Sequence, residues 1–369
     1  MPAQPEQRAH DPSGGDDPLT PAAPNHDPSP GTASTARPRV SVGALGGTIA
    51  STSAAGDGHA VTPTLSADDL AAAVPGLADL ATLRAETLAM LPSPSLDEAT
   101  VLRALTWARA EVADGAAGVV LTQGTDTLEE SAYLLDLLWD LPEPLVVTGA
   151  MRSAQAPGAD GPANLVAAIS CAIAPAARGR GVLVVLADEV HAARWVAKTD
   201  SVAPGAFRSP ATGPVGRYVE SEVAFLVGPP DVPAPALPVP ARTPGPWVPL
   251  LTTYLGDDGR ALDALVAAGA DGVVIAGFGA GHVSAAMAEA VGRAVSAVPI
   301  VFATRTGAGP TGRALYGYPG SEVDLLGRGA HGAGWLPPVK ARLLLWTLLA
   351  GGTRSAAGIR EGFDRRGGL

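Results

Sequence analysis

The sequence predicts an α/β protein of two domains, each built on a mostly parallel sheet, with the larger domain N-terminal. Three observations predict it. Short apolar runs alternate with helical periods from Val40 to about Val227, the same alternation resumes at Leu250, and a proline-rich stretch separates the two. At 369 residues and 47% hydrophobic content the chain can bury substantial cores, and its length suits two domains of ordinary size. The organisation expected is a tail over 1–38, a larger α/β domain over 39–227, a linker over 228–249 and a smaller α/β domain over 250–369.

The tail carries nine prolines among Gly, Ser, Asp and Ala and almost no large apolar side chains, so it does not offset its ordering entropy and reads as disordered. Strands are expected at Val40–Leu45, Val119–Thr122, Leu145–Thr148 and Val182–Leu186, each a short apolar run. Helices are expected at Ala67–Ala73, Glu98–Val112, Leu128–Trp139 and Ala163–Ala172. In the third, Leu128, Ala132, Leu135 and Leu138 fall at spacings of four, three and three, which makes one apolar face. Thr127 with Glu130 fits a capping box, so Thr125 and Asp126 stand at the helix entrance. Gly228–Pro249 reads as an extended connection. Beyond it come strands at Leu250–Tyr254, Gly272–Ala276 and Ile300–Thr304, helices at Ala261–Ala268 and Val283–Val295, and a final helix at Val339–Leu349. Lys340 and Arg342 open that last helix, where Lys340 is expected to pair with an acidic neighbour.

Composition removes several classes of function. The single Cys171 permits no intrachain disulfide and no thiolate cluster, and the six histidines show no zinc-type pairing, so neither metal nor cofactor is expected. Cys171 lies in the apolar run Leu165–Cys171, which suits packing rather than nucleophilic work. A formal charge of -11 repels phosphate backbones, which disfavours nucleic acid and leaves a small neutral or zwitterionic substrate. No apolar run reaches the roughly eighteen residues of a membrane span. No apolar h-region follows Arg8, and a cytoplasmic protein with no membrane partner is expected. Of 25 basic residues only Lys198 and Lys340 are lysine. A lysine can be neutralised by its surroundings and serve as a base, whereas an arginine effectively cannot.

Two strings carry the chemistry. Leu45-Gly46-Gly47-Thr48-Ile49-Ala50 closes the first strand, and Gln123-Gly124-Thr125-Asp126-Thr127-Leu128-Glu129-Glu130 closes the second. Each delivers a threonine to the carboxyl edge of a parallel sheet, where open α/β folds bind ligands. A threonine hydroxyl is a poor nucleophile until a base takes its proton, and Thr125, Asp126 and Lys198 together can supply one. Gly307-Ala308-Gly309-Pro310-Thr311-Gly312 fits the glycine pattern of dinucleotide sites after the strand Ile300–Thr304. However, Pro310 and Arg313–Pro319 do not open a helix, so a pyrophosphate would meet no helix N-terminus.

With Thr148-Gly149-Ala150-Met151-Arg152, Ala159-Asp160-Gly161-Pro162-Ala163-Asn164-Leu165 and Val196-Ala197-Lys198-Thr199-Asp200 added, the chain resembles bacterial-type L-asparaginases of the asparaginase/glutaminase family from Val40 to the C-terminal helix. The resemblance implies hydrolysis of L-asparagine to L-aspartate and ammonia, a step of asparagine catabolism, through an acyl ester on Thr48. It implies a second triad of Thr125, Lys198 and Asp126, in which a largely desolvated lysine amine helps the Thr125 hydroxyl relay protons. Asp126 would also bind the substrate α-ammonium, and the N–H groups of Thr125 and Ala150 would form an oxyanion hole. For the substrate carboxylate the candidate is Ser93 in Leu91-Pro92-Ser93-Pro94-Ser95-Leu96, with Ser95 its competitor. His282, at the end of Gly277-Phe278-Gly279-Ala280-Gly281-His282, occupies the place of an asparagine that members of the family receive from a neighbouring subunit. Glu322 matches a partner-supplied acid near the substrate amine, and such sharing implies a homodimer or homotetramer.

Two departures limit the transfer. The lid stretch Ser51–Thr62 lacks the family's tyrosine, which leaves His59 or Thr62 to replace it or a lid that only excludes water, and its Gly, Ser and Ala content suits a flexible lid. His282 is bulkier than asparagine and titratable, so a preference for asparagine over glutamine does not carry across. The competing readings are a glutaminase-asparaginase or other small-amide hydrolase, and a non-catalytic amino-acid-binding relative.

Overall fold

The computed structural model describes residues 37–53, 61–72, 74, 76–229, 234–241 and 244–368; the reading of 1–36 as disordered and the candidate His59 fall outside them. From Arg37 onward the chain clusters as one compact unit. It opens with β1 (Arg39–Gly46), an antiparallel ribbon of β2 (Ser51–Ser53) and β3 (Val61–Pro63), two short helices α1 (Ala67–Ala72) and α2 (Leu77–Leu80), and β4 (Thr82–Leu91). Then βα units follow: α3 (Glu98–Ala113), β5 (Gly118–Thr122), α4 (Leu128–Leu138), β6 (Leu145–Thr148), α5 (Gly161–Ile173) and β7 (Val182–Leu186). After β8 (Glu189–Ala192), a hairpin of β9 (Ala197–Lys198) and β10 (Phe207–Arg208) precedes β11 (Gly216–Val219) and β12 (Glu222–Phe225). The resulting sheet has the order β12-β11-β8-β7-β6-β5-β1-β4. It is parallel from β4 to β7 and antiparallel from β7 to β12.

The second sheet comes from β13 (Leu250–Thr252), α6 (Arg260–Ala267), β14 (Val273–Gly277), α7 (Ala285–Ala294), β15 (Ile300–Thr304), α8 (Glu322–Gly327) and β16 (His331–Gly332). Its four strands are parallel in the order β13-β14-β15-β16. Helices α9 (Pro338–Ala350) and α10 (Ala356–Gly367) complete the chain.

Strand alternation sorts the core into two faces. On β5, β6 and β7, Val119, Leu121, Leu145, Val147, Val182 and Val184 face α3 and α4, while Val120, Val146, Leu183 and Val185 face α5. The side chains of β1 divide in the same way, with Val40 and Val42 toward α5 and Leu45 toward α3. Burying each such side chain contributes roughly 1.5 to 3 kcal/mol, so a one-residue slip of register would be very costly. The face of α4 read from its spacing is the buried one, with Leu128, Ala132, Leu135 and Leu138 all at or near zero exposure. Cys171 packs inside α5, and burial pushes its thiol up to about 12.

Helix α9 belongs to both sheets. Leu343, Leu344, Leu345, Trp346, Leu348 and Leu349 share one apolar cluster with Leu128, Leu135 and Leu138 of α4 and with Val274 and Val301 of the second sheet. Lys340 does not pair with an acid, contrary to expectation. Fully buried, its ammonium donates to the carbonyls of Ala193 at 2.7 Å, of Arg194 at 3.2 Å and of Val196. A buried cation must use its N–H groups on whatever acceptors the packing brings, and here the turn after β8 brings backbone oxygens. The salt bridge at this helix belongs instead to Arg342, which meets Glu98 at 2.7 Å.

Two elements differ from expectation. The ten-residue β4 lies outside the expected strands, because its Leu, Ala, Glu and Met content favours helix and its edge position leaves its side chains only partly covered. Nor is the helix at 338–350 the last, since α10 follows it, capped by the Ser355 hydroxyl, which accepts from Gly358 N–H at 3.2 Å. Its Gly362 lies against Leu348 of α9, so closely that a Cβ there would fall 2.7 Å from the leucine.

His191 of β8 gives the fold a pH dependence. It is fully buried, its Nδ1 is 2.9 Å from the Ser209 hydroxyl, and Glu189 lies 3.4 Å from Nε2. Burial, only partly offset by Glu189, holds its imidazole down to about 4 from the usual 6.5. Between these values the unfolded chain binds the extra proton, so stability present above about 6.5 is lost as the pH falls toward 4. The loss is roughly 3 kcal/mol. Denaturant titrations from pH 7 to pH 4 should show that decline in the wild type and a shallower one in His191→Asn.

Candidate active site

Four parallel strands deliver their carboxyl ends to one edge of the larger sheet. Gly46 of β1 pairs with Leu91 of β4, Ala44 with Thr122 of β5, and Thr122 with Thr148 of β6. The loops leaving these ends carry Thr48, Ser93, Thr125 with Asp126, and Ala150. Two of them touch through glycine. Gly47 has φ +85°, and a Cβ on it would fall 1.9 Å from the backbone nitrogen of Gly124, while one on Gly124 would fall 2.7 Å from the Ser93 hydroxyl. Any larger residue at position 47 would drive the β1 and β5 loops apart. Thr48 then begins a single 3-10 turn, Thr48–Ala50, whose Ile49 and Ala50 pack on Ala150.

Thr125 and Asp126 stand at the entrance to α4, as expected, but the capping box is not formed. Thr127 makes no side-chain cap; its hydroxyl donates instead to the Ser93 carbonyl at 3.0 Å. The Ser93 hydroxyl in turn accepts the Asp126 N–H at 3.1 Å. Of the two serines, Ser93 is buried beside Gly124 and Asp126, whereas Ser95 is exposed.

Lys198 arrives on the β9–β10 hairpin. Its ammonium donates to the Thr125 hydroxyl oxygen at 2.9 Å and to the Asp126 carboxylate at 2.7 Å. Thr125 is 5% exposed, and the side chains of Lys198 and Asp126 are 13% and 60% exposed, so the cluster runs from a dry hydroxyl to a wet carboxylate. The Lys198 N–H donates to Glu129 of α4 at 3.3 Å. Burial raises the Glu129 carboxyl above its ordinary range, opposed by the charge of Lys340, by this hydrogen bond and by the charge of Lys198. Glu129 lies within the Gln123–Glu130 string, whose pattern gives it no role of its own, and for Lys340 the sequence offers only the scarcity of lysine.

The turn bearing Ala150 is held by the Asp160 motif. The Asp160 carboxylate accepts the N–H groups of Met151 at 3.0 Å and Arg152 at 2.9 Å, and Asn164 donates to the Gly149 carbonyl at 3.0 Å. Gly149 leaves room for Thr125, whose methyl lies 3.3 Å from where a Cβ would stand. Among the described residues, the N–H groups of Thr125 and Ala150 donate to no other group.

His282 and Glu322 form a second group, on the smaller sheet. His282 Nε2 meets Glu322 at 2.9 Å and its Nδ1 meets the Tyr318 hydroxyl at 2.8 Å, with Tyr316 packed edge-on at 5.1 Å. Glu322 is fully buried, and its other oxygen accepts the N–H groups of Leu315 and Tyr316, each at 2.7 Å. Burial works to raise this carboxyl, but the hydrogen bonds outweigh it and hold it below the ordinary range. Among the described residues, no hydrogen bond or ion pair joins this pair to Thr125, Asp126 or Lys198. Residues 307–312 open no helix, so the glycine pattern there lacks a phosphate-binding turn. Thr62, the described one of the two lid candidates, is an exposed residue of β3 paired with Thr52.

Comparison with known proteins adds relatives along nearly the whole folded chain. Residues 39–230 match the family described as Asparaginase, N-terminal, and residues 247–363 match the Glutaminase/Asparaginase C-terminal domain. L-asparaginase 2 of Bacillus subtilis is 35% identical over 327 residues, which cover 85% of this chain and 82% of that protein. A probable periplasmic L-asparaginase of Haemophilus influenzae is 35% identical over 312 residues, 84% of this chain and 87% of its own. Among solved structures, a probable cytoplasmic L-asparaginase from Campylobacter jejuni superposes with a TM-score of 0.81 at 31% identity, over 89% of this chain and 100% of that one.

The glycine contact is testable by stability. Gly47→Ala meets both an unfavourable φ and an immovable backbone and should cost about 3 kcal/mol or more. Gly76→Ala has a similar φ of +84° but nothing within 4 Å, and should cost only about 1 to 2 kcal/mol. Denaturant midpoints of the two variants measured side by side read the difference.

Proposed function

Because the chain belongs to the asparaginase family, we infer that it is an amidohydrolase that converts L-asparagine to L-aspartate and ammonia. The observation that carries the mechanistic reading is the contact of Lys198 with Thr125 and Asp126, the latter two on the loop whose Gly124 packs against the residue preceding Thr48.

In this reading the Thr48 hydroxyl attacks the side-chain amide carbon, ammonia leaves, and water hydrolyses the resulting ester. The N–H groups of Thr125 and Ala150 receive the developing oxyanion, a contribution of roughly 3 to 4 kcal/mol per donor in enzymes generally. The Lys198 amine, hydrogen-bonded to the Thr125 oxygen, and that hydroxyl together pass protons to and from the reacting centre. The wet oxygen of Asp126 receives the substrate ammonium, and the Ser93 hydroxyl, fixed by the Asp126 N–H, turns its own proton toward the substrate carboxylate.

The proposal extends to the assembly. His282 is read as the group a neighbouring subunit of a homodimer or homotetramer brings to this site. Glu322 acts there through His282, since both its oxygens are occupied within the chain. The compartment proposed is the cytoplasm, as for the Campylobacter protein.

Ammonia release from L-asparagine, L-glutamine and D-asparagine, measured in parallel with Thr48→Ala, tests the reading. Release from L-asparagine should fall by at least about 1,000-fold in the variant. A folded wild type silent on all three amides would instead support a binding role, as would equal asparagine affinity in both proteins without turnover.

A further inference from the structure

Lys198 is held at its side chain by Thr125 and Asp126, but its backbone is held as well, from two directions. On one side the turn Ala193–Val196 presents three carbonyls to the buried ammonium of Lys340. On the other the Lys198 N–H ends on the Glu129 carboxylate at 3.3 Å. Glu129 lies on α4, four residues after Thr125, and Lys340 lies on α9, which packs along α4.

We propose that Lys340 and Glu129 are positioning residues for Lys198, the first holding the turn just before it and the second its own N–H, so that Nζ stays on Thr125 and Asp126. This rests on the reading of Lys198 as part of the proton relay.

The physical case is one of reciprocal constraint. A buried ammonium without acceptors costs several kcal/mol of desolvation. Three carbonyls offset that cost only while the 193–196 turn keeps one shape, so the ammonium fixes the turn as firmly as the turn satisfies the ammonium. Only Ala197 separates the last of those carbonyls from Lys198, and a displacement of the turn passes directly to the hairpin strand. The charges around Lys340 agree: burial brings it down to about 8, while Glu129, Asp136 and Glu130 of α4 favour its proton. The ring of Tyr133 completes the wall at 5.7 Å. A methionine or leucine of similar size would fill the space but make none of these contacts. Geometry is what a relay is most sensitive to, since misplacement by about 1 Å can cost on the order of 100-fold in rate.

The test compares wild type, Lys340→Met, Glu129→Leu and, as a control on the same helix, Thr347→Val, which loses only a side-chain bond to the Leu343 carbonyl. With L-asparagine, kcat per folded molecule should fall roughly 10- to 100-fold in the first two variants with KM within about twofold, and hold in the control. A folded Lys340→Met with wild-type kcat overturns the proposal. Should that variant not fold, wild-type kcat in Glu129→Leu, whose position is only half-buried, overturns it equally. A second readout does not need activity. Because the chain has two lysines, acetylation of Lys340→Met reports Lys198 alone, and mass spectrometry should find it labelled roughly fivefold or more faster than Lys198 in the wild type. Unchanged labelling in a folded variant overturns the clamp. Absence of ammonia release from the wild type, by contrast, overturns the proposed function, and the labelling result then still decides whether Lys198 is clamped.

Discussion

The site depends on a contact between two backbones that have no side chains to separate them. Neighbouring strands stand about 4.8 Å apart, and the loops leaving them normally diverge as side chains claim space. At Gly47 and Gly124 they converge instead, and Ser93 from a third loop closes on the same point. That convergence puts a threonine one residue beyond the contact on each of the two glycine loops. It also explains why the hydroxyls of Ser93 and Thr127 serve backbone groups of one another's loops rather than capping their own turns.

Around that contact, solvent exposure rather than residue type differentiates the roles. One ammonium spans a hydroxyl in a nearly water-free environment and a carboxylate open to water. The interaction with the hydroxyl is strengthened by low dielectric, and the one with the carboxylate is weakened by screening. A cation arriving from solvent therefore competes for Asp126 at little cost, while Lys198 remains on Thr125. The Asp160 and Asn164 side chains hold the adjoining turn through its backbone groups and through a bond to each other at 3.2 Å.

Much of this was legible in the sequence. Strands 145–148, 182–186 and 300–304 coincide with their expected bounds because each is a short apolar run between turn residues, and the helix over 128–138 buries the face its spacing predicts. Thr125, Asp126 and Lys198, far apart in sequence, do come together, and Ser93 rather than Ser95 joins them. Three features were not legible, for identifiable reasons. An edge strand such as β4 shows no clean alternation when neither face is fully buried. A capping-box pattern does not reveal that a neighbouring loop will offer Thr127 a better acceptor. The environment of Lys340 is made by carbonyls, and carbonyls are common to every residue, so no pattern of side chains announces them.

The place of α9 in the packing also has a consequence in time. Its leucines complete a core that α4 and both sheets share, and its lysine supplies the donors for the turn that leads to Lys198. Yet it is encoded after all of them. A nascent chain on the ribosome therefore carries every residue of the Thr125 cluster before it carries the helix that packs on α4. Domains generally fold as units during synthesis, N-terminal first; here the helix that covers α4 is encoded only after both sheets.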